Sequence, residues 1–188
     1  MHIPKKGLRA LGIAESYAGR THSTLAGVVM RKDLRIDGFV FGSVTVGGMD
    51  ATDAVIGMVQ ELDRRDINAI LLSGCVIAWF NVIDPARIED VTGIPVICVT
   101  YEESEGLSGD IRHHFPDDTA RLLAYERLGE RVPVLLHTGQ TIFLRSWGIS
   151  GADAAKFCDA FTLEGRIPEP LRVARLCARQ AFSFHERG

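Results

Sequence analysis

The sequence predicts one α/β domain, a mixed sheet flanked by helices, that spans residues 1–188. Apolar segments typical of strands fill the first third of the chain, and strand and helix patterns alternate after it. No repeat or flexible linker divides the 188 residues, a length within the usual range for one domain. With 46% hydrophobic and 24% charged residues, the composition excludes disordered and fibrous classes.

Three strands are predicted first, at residues 8–14, 23–30 and 36–46. They follow one another closely, which indicates an antiparallel meander. After a pair of glycines the apolar residues recur at helical spacing, behind Asp50 as a candidate N-cap. We therefore expect the first helix to cross the sheet at this point.

A strand-helix-strand unit comes next. The continuous apolar run at residues 67–72 is typical of a central strand that is covered on both faces. Asp84 and Pro85 are the expected N-cap and first residue of a helix, and Gly93 is its expected end. Residues 96–99 then form the next buried strand.

The remaining chain predicts a helix at residues 117–128, a pair of strands at 132–136 and 141–145, and a final helix at about 168–182. The resulting order, βββαβαβ with further helices, is that of ribonuclease-H-like folds. It fits a Rossmann fold less well, and the sequence lacks the G-x-G-x-x-G motif of that fold.

Charge and hydropathy limit the classes of partner. The net charge of −3 and the pI of about 6.1 give no general attraction to polyanions, so contact with nucleic acid requires a local basic patch. No apolar run approaches the roughly 20 residues of a membrane span, and no signal-peptide pattern follows the first six residues. We expect a cytoplasmic protein that does not contact a membrane.

Four cysteines occur at separations of 23, 60 and 19 residues, without a C-x-x-C pair. This spacing fits neither a zinc site nor a redox motif. Because each lies in an apolar neighbourhood, we expect reduced, buried thiols that act as small hydrophobic side chains. They are Cys75, Cys98, Cys158 and Cys177.

Carboxylates are sparse where a ribonuclease-H-like nuclease needs them. Such nucleases hold Mg²⁺ at the ends of adjacent central strands, because a hard cation requires oxygen ligands. The end of the first strand supplies one carboxylate, Glu15. The end of the fourth supplies none, since Leu72 is followed by Ser73 and Gly74.

Five ordered segments across nearly the whole chain resemble the archaeal endonuclease dU family, distant relatives of endonuclease V. The segments are Gly12-Ile13, Thr45 to Ala54, Phe80 to Asp84, Thr92 to Ile97 and Gly165 to Arg172. The resemblance implies a single endonuclease-V-like domain and DNA cleavage that depends on Mg²⁺ or Mn²⁺. It also implies recognition of deoxyuridine, a deaminated base.

Two aspartates of the family's pattern are absent from this chain. Where the family reads Gly-Ile-Asp-Asp-Gly, this sequence has Ala14 and Glu15, and where it reads Leu-Asp-Gly, this sequence has Ser73. Glu15 lies one position along, so it replaces a lost aspartate only if the strand has already ended. The resemblance makes Glu15 and Asp50 the expected metal ligands and catalytic residues, although Asp50 is equally explained as a helix N-cap.

Arginines near the C-terminus form a second candidate site. Arg172, Arg175 and Arg179 are spaced i, i+3 and i+7, which places them on one stripe of the last predicted helix. Arginine binds phosphate through a planar fork, so this stripe and Arg166 are a candidate nucleic-acid-binding surface. The alternative is an ordinary solvated helix face.

Two further segments lie beyond predicted strands. Trp79, Phe80 and Asn81 follow the fourth strand, where the resemblance implies a base pocket and an aromatic pair can stack on a flipped base. Core packing is the alternative for these aromatic residues. The run from Tyr101 to Glu105 follows a parallel strand, at the end of an open sheet where ligands usually bind. We interpret its acids as the start of a helix.

These observations support two hypotheses. In the first, the protein is a divalent-metal-dependent DNA endonuclease that acts on deoxyuridine. In the second, it has kept the fold and the pocket, has lost the carboxylates, and binds nucleic acid, a nucleotide or a protein without cleaving it. A structural subunit that acts through homodimerisation is also compatible with the sequence.

Overall fold

The computed structural model describes residues 7–16 and 21–185. The strands are β1 (Arg9–Ser16), β2 (His22–Arg31), β3 (Ile36–Thr45), β4 (Ala69–Leu72), β5 (Val76–Ile77), β6 (Asn81–Val82), β7 (Val96–Thr100), β8 (Val132–Leu135) and β9 (Thr141–Trp147). They form a seven-stranded sheet in the order β3-β2-β1-β4-β7-β9-β8 and a two-stranded hairpin, β5-β6. The helices are α1 (Ala51–Leu62), α2 (Pro85–Thr92), α3 (Ser108–His114), α4 (Thr119–Glu126), α5 (Gly151–Ala160) and α6 (Glu169–His185). None of these described helices is both long enough and apolar enough to cross a membrane.

The sheet is mixed, as the sequence predicts. β1, β2 and β3 form the antiparallel meander, while β1, β4 and β7 run parallel to one another. β9 pairs antiparallel with β7, and β8 pairs antiparallel with β9 at the edge of the sheet opposite β3. The three parallel strands therefore end together, at the edge where ligands commonly bind in open α/β sheets.

Helices cover both faces of the sheet, because the buried side chains of the central strands alternate between them. On one face, Leu72 of β4 packs in a core cluster with Val55 of α1. On the other, Leu71 packs with Phe157 of α5 and Leu171 of α6. This two-sided burial confirms the sequence prediction of a fully covered central strand.

Most predicted elements are confirmed, including the first turn of α2. The Asp84 side chain accepts a hydrogen bond from the Arg87 amide, and Gly93 ends the helix in the left-handed region with φ of 66°. The sequence analysis did not predict α5, the β5-β6 hairpin or the observed position of α3. The prediction for the acids of residues 101–105 was wrong, since α3 begins only at Ser108 and these residues form a loop.

The close approach of α6 to β1 depends on a glycine. A Cβ atom at Gly12 would lie 2.4 Å from the carbonyl carbon of Pro170, a separation that real Cβ atoms do not adopt. Since that obstacle is backbone, it cannot rotate away. Gly12 thereby allows the first turn of α6 to lie directly against the central sheet.

Candidate functional site

The ends of β1 and β4 form the floor of the candidate site. Ile13 pairs with Leu72 in the parallel register, and the Ser73 amide donates to the Ile13 carbonyl at 3.0 Å. Continued by one residue beyond β4, this register places Ala14 beside Ser73. The two positions at which the resemblance expects aspartates are therefore neighbours, on the face that α6 covers.

Arg175 of α6 reaches this point of the sheet. Its Nη2 and Nε atoms donate to the Ser73 hydroxyl oxygen at 2.8 and 3.2 Å. The guanidinium carbon lies 5.0 Å from the centroid of the Tyr101 ring, which is a cation–π contact. A fixed positive charge consequently lies beside Ser73.

Two more arginines surround the loop that follows β7. Arg131 donates to the carbonyl oxygens of Glu102 and Ser104 at 3.1 and 2.7 Å. Arg166 donates to the Tyr101 carbonyl at 2.8 Å and pairs with the exposed carboxylate of Glu102. Both guanidinium groups are thus held against one loop by backbone acceptors.

The three arginines line one cavity of about 480 Å³ at the carboxyl ends of β4 and β7. We call this cavity the arginine pocket. Its lining residues are Ser73, Gly74, Val76, Val99, Thr100, Tyr101, Glu102, Ser104, Arg131, Arg166, Ile167 and Arg175. Burial raises the pKa of Tyr101 to about 12, although the nearby Arg175 partly opposes this, so the phenol stays protonated at neutral pH.

Glu15 points to the opposite face from Ala14, because β1 continues through Ser16 and successive side chains alternate. Its carboxylate accepts hydrogen bonds from the Ala78 amide at 2.8 Å and the Ser23 hydroxyl at 3.3 Å. Burial raises the pKa of Glu15, and these two hydrogen bonds only partly offset the effect.

Asp50 precedes the first residue of α1, but its side chain does not cap the helix. Instead the carboxylate accepts hydrogen bonds from the Thr45 amide and hydroxyl and, at 2.6 Å, from the buried Asn81 side chain. Burial opposes ionisation, but these donors outweigh it and hold the pKa of Asp50 below its usual value. The plain N-cap interpretation of Asp50 was therefore wrong.

These residues do not fit a divalent cation. Within residues 7–16 and 21–185, no three His, Cys, Asp or Glu side chains come together as a metal-binding group. Both carboxylate oxygens of Asp50 and the Oε2 atom of Glu15 accept hydrogen bonds from protein donors. On the α6 face, the Arg175 guanidinium would repel a cation placed beside Ser73.

Trp79 and Phe80 lie in the turn of the β5-β6 hairpin. Ala78, Trp79 and Phe80 have φ values of 41°, 60° and 60°, so three consecutive residues with side chains adopt the left-handed region. Each costs roughly 1–2 kcal/mol relative to ordinary backbone. Trp79 is 48% exposed and packs edge-on against Phe80, with ring centroids 5.3 Å apart.

Arg121 of α4 binds the backbone of this turn. Its buried guanidinium donates to the carbonyl oxygens of Gly47, Gly48 and Phe80, and it pairs with Asp118 at 3.0 Å. One side chain thereby fastens the loop before α1 to the hairpin turn. The Trp79 side chain is therefore exposed on a turn whose backbone is held by hydrogen bonds from Arg121.

The remaining arginines of the predicted stripe lie elsewhere. Arg172 forms an ion pair with Glu169 of its own helix, with Nη2 and Oε2 2.6 Å apart, and Arg179 is exposed further along. Of the three arginines of the stripe, Arg175 is the member that lines the pocket. Sequence reasoning missed Arg121 and Arg131. Most of their hydrogen bonds go to backbone carbonyls, which leave no signal in the sequence.

Comparison with known proteins identifies the family and the fold. The sequence profile of the endonuclease dU family matches residues 6–182. A UPF0215 protein of Pyrobaculum calidifontis is 38% identical over 170 residues, which cover 89% of this chain and 93% of the relative. The crystal structure of a protein of unknown function from Archaeoglobus fulgidus has a TM-score of 0.82 and 28% identity, covering 93% of this chain and 98% of that one.

Endonuclease V shares the fold. The crystal structure of endonuclease V from Ciona intestinalis, in complex with a DNA that contains inosine, has a TM-score of 0.62 at 16% identity. The match covers 95% of this chain and 87% of that one. The predicted ribonuclease-H-like α/β class is thereby confirmed, and the family description supports a nuclease-like function. Because the family profile spans nearly the whole sequence, the chain belongs to the endonuclease dU family.

Proposed function

We propose that the protein binds DNA at the arginine pocket, without a divalent cation and without cleaving the strand. The observation that carries the proposal is the contact between the Arg175 guanidinium and the Ser73 hydroxyl at the end of β4. A positive side chain is held where the family pattern has an acid. The site is therefore suited to attract a phosphate directly.

The choice of DNA rests on the family and on the chemistry of the pocket. Guanidinium groups bind phosphate oxygens through paired hydrogen bonds, and three of them line one cavity. Trp79 offers a half-exposed aromatic face on which a base can stack. A relative by fold, endonuclease V, has been crystallised with DNA.

The loss of cleavage follows from the positions of the acids. Hydrolysis of a phosphodiester in this class relies on carboxylates that gather a cation at one place. Here Glu15 lies on the face opposite Ser73, and Asp50 is bound by Thr45 and Asn81. The first test is calorimetric titration with Mg²⁺ or Mn²⁺, which should show weak binding or none.

Binding is tested by fluorescence anisotropy with labelled DNA in the presence of a metal chelator. We expect affinity that survives chelation and falls with salt, because each neutralised phosphate releases counterions. Arg175→Ala should weaken binding and flatten the slope of log K against log salt by about 0.7–0.9. Arg35→Ala, in the exposed turn between β2 and β3, removes the same charge away from the pocket and is the matched control.

The second candidate is a divalent-metal-dependent endonuclease acting on deoxyuridine, which the family match itself favours. It is tested by incubating deoxyuridine-containing and unmodified duplexes with Mg²⁺ or Mn²⁺. Cleavage that requires the metal and is lost in Glu15→Gln or Asp50→Asn would overturn the proposal. The absence of any DNA affinity at low salt would overturn both candidates.

A further inference from the structure

The charges of the arginine pocket are not balanced. Arg131, Arg166 and Arg175 contribute three positive charges, and Glu102 is the one carboxylate among the lining residues. Within the described part of the chain, Arg131 and Arg175 make no ion pair, while Arg166 pairs with Glu102. Three positive charges and one negative charge leave the lining with a formal charge of +2.

The guanidinium groups are also incompletely bonded. A guanidinium has five N–H donors. Among the described residues, Arg131 makes three hydrogen bonds, one to Thr100 at the end of β7 and two to the loop that follows, and Arg166 and Arg175 make two each. Each side chain is thus fixed by the protein and retains at least two N–H groups for a ligand. A further polar group of the lining is the buried Tyr101 hydroxyl, which lies beside Ser73.

From this charge and this donor set we infer that the pocket binds a terminal phosphate monoester at the end of a nucleic-acid strand. An internal phosphodiester brings one negative charge, whereas a monoester carries about −1.5 to −2 at pH 7 and presents three acceptor oxygens. The monoester therefore matches the +2 of the lining more closely. This inference rests on the proposed DNA binding and deepens it.

The size of the pocket favours a nucleotide over a bare ion. A volume of about 480 Å³ lies within the range of 300–1,000 Å³ that is typical of sites for small organic ligands. It leaves space for a sugar beside the phosphate. The apolar lining residues Val76, Val99 and Ile167 provide the surface against which that sugar can pack.

The experiment compares single-stranded DNAs of one sequence that carry a 5′-phosphate, a 3′-phosphate or no terminal phosphate. Anisotropy should show that one phosphorylated end binds about tenfold or more tightly than the unphosphorylated strand, as charge-assisted hydrogen bonds would give. Arg131→Ala and Arg166→Ala should abolish this preference, whereas Arg35→Ala should keep it. Arg131→Lys retains the positive charge but loses the planar guanidinium that binds phosphate through two hydrogen bonds. It should therefore reduce the preference for a phosphorylated end, and it provides a test if the alanine variant does not fold.

Three other results of this binding experiment are possible, and each would overturn either the strand-end inference or the proposed DNA binding. Equal affinity for all three strands would overturn the inference and leave the proposed DNA binding intact. No affinity for any strand would overturn the proposed function itself. Inorganic phosphate or a nucleoside monophosphate that competes at the same concentration as the phosphorylated strand would show that the ligand is free phosphate or free nucleotide, and this too would overturn the strand-end inference.

Discussion

Replacement of Arg121 by alanine is expected to destabilise the protein strongly. The side chain is only 5% exposed, and its guanidinium holds three carbonyl oxygens of two loops. Those carbonyls belong to Gly47, Gly48 and Phe80. The substitution would leave them without their donor next to a turn that already has three left-handed residues.

The magnitude follows from the number of hydrogen bonds lost. Hydrogen bonds to a charged group contribute about 1.5–3 kcal/mol each, but water that enters the space will recover part of this. A net loss of about 1 kcal/mol for each of the three gives about 3 kcal/mol. The ion pair with Asp118 adds little, because that carboxylate is 33% exposed and remains solvated. The total is a large part of the 5–15 kcal/mol by which native domains are usually stable.

Urea unfolding followed by circular dichroism measures this difference. Arg112→Ala serves as the control, since Arg112 and its partner Glu126 are 60% and 44% exposed and the change should stay within about 0.5 kcal/mol. If Arg121→Ala changes the free energy of unfolding by less than about 1 kcal/mol, the loops do not depend on this side chain. The account of how Trp79 is presented would then be refuted.

Three further predictions concern packing, protonation and thiol exposure. Gly12→Ala should destabilise by about 1–3 kcal/mol in the same urea assay, because its Cβ meets the Pro170 backbone, whereas Gly57→Ala in the open face of α1 should be neutral or stabilising by up to about 1 kcal/mol. Glu15 has a raised folded pKa, so the folded state binds its proton more tightly than the unfolded chain, and stability should fall as the pH rises above the unfolded value of about 4.5. Glu15→Gln should remove that pH dependence, and an unchanged profile would contradict the buried position of the carboxylate. A thiol reagent should label half-buried Cys177 in the native protein before the other three cysteines, and fast native labelling of two or more thiols would contradict their burial. The thiols expected to react only on unfolding are those of Cys75, Cys98 and Cys158.

Local sequence patterns predicted most of the fold because strands and helices with one buried face carry a regular apolar period. The β5-β6 hairpin was missed since its strands are two residues long and its turn contains no glycine. Helix α5 was missed because four of its ten residues are alanine, so few large apolar side chains mark a helical period. Its cap was a usable signal, since the Ser150 hydroxyl accepts from the Asp153 amide three residues later.

The site was less predictable than the fold. The positions of Glu15 and Asp50 were identified, but the face on which Glu15 lies depends on where β1 ends, which the sequence left open. The spacing along α6 placed Arg172 and Arg175 in one group. In the structure, Arg172 forms an ion pair with Glu169, whereas Arg175 donates hydrogen bonds to Ser73. Two signals in the sequence pointed to the pocket: the predicted nucleic-acid-binding set contained Arg166 and Arg175, and residues 101–105 follow a parallel strand. The roles of these side chains in binding stay predictions.

The span between Ser73 and Arg175, 102 positions along the chain, has a consequence for folding kinetics. The β1-β2-β3 meander consists of local strand pairings that can form early. Closing a loop of this length has a high entropic cost, which comes before the contacts that offset it have formed. The pocket is therefore expected to be completed late, after α6 has docked on the sheet. A ligand that recognises all three arginines would bind only the completely folded chain, and its presence would slow unfolding while leaving the early steps of refolding unchanged.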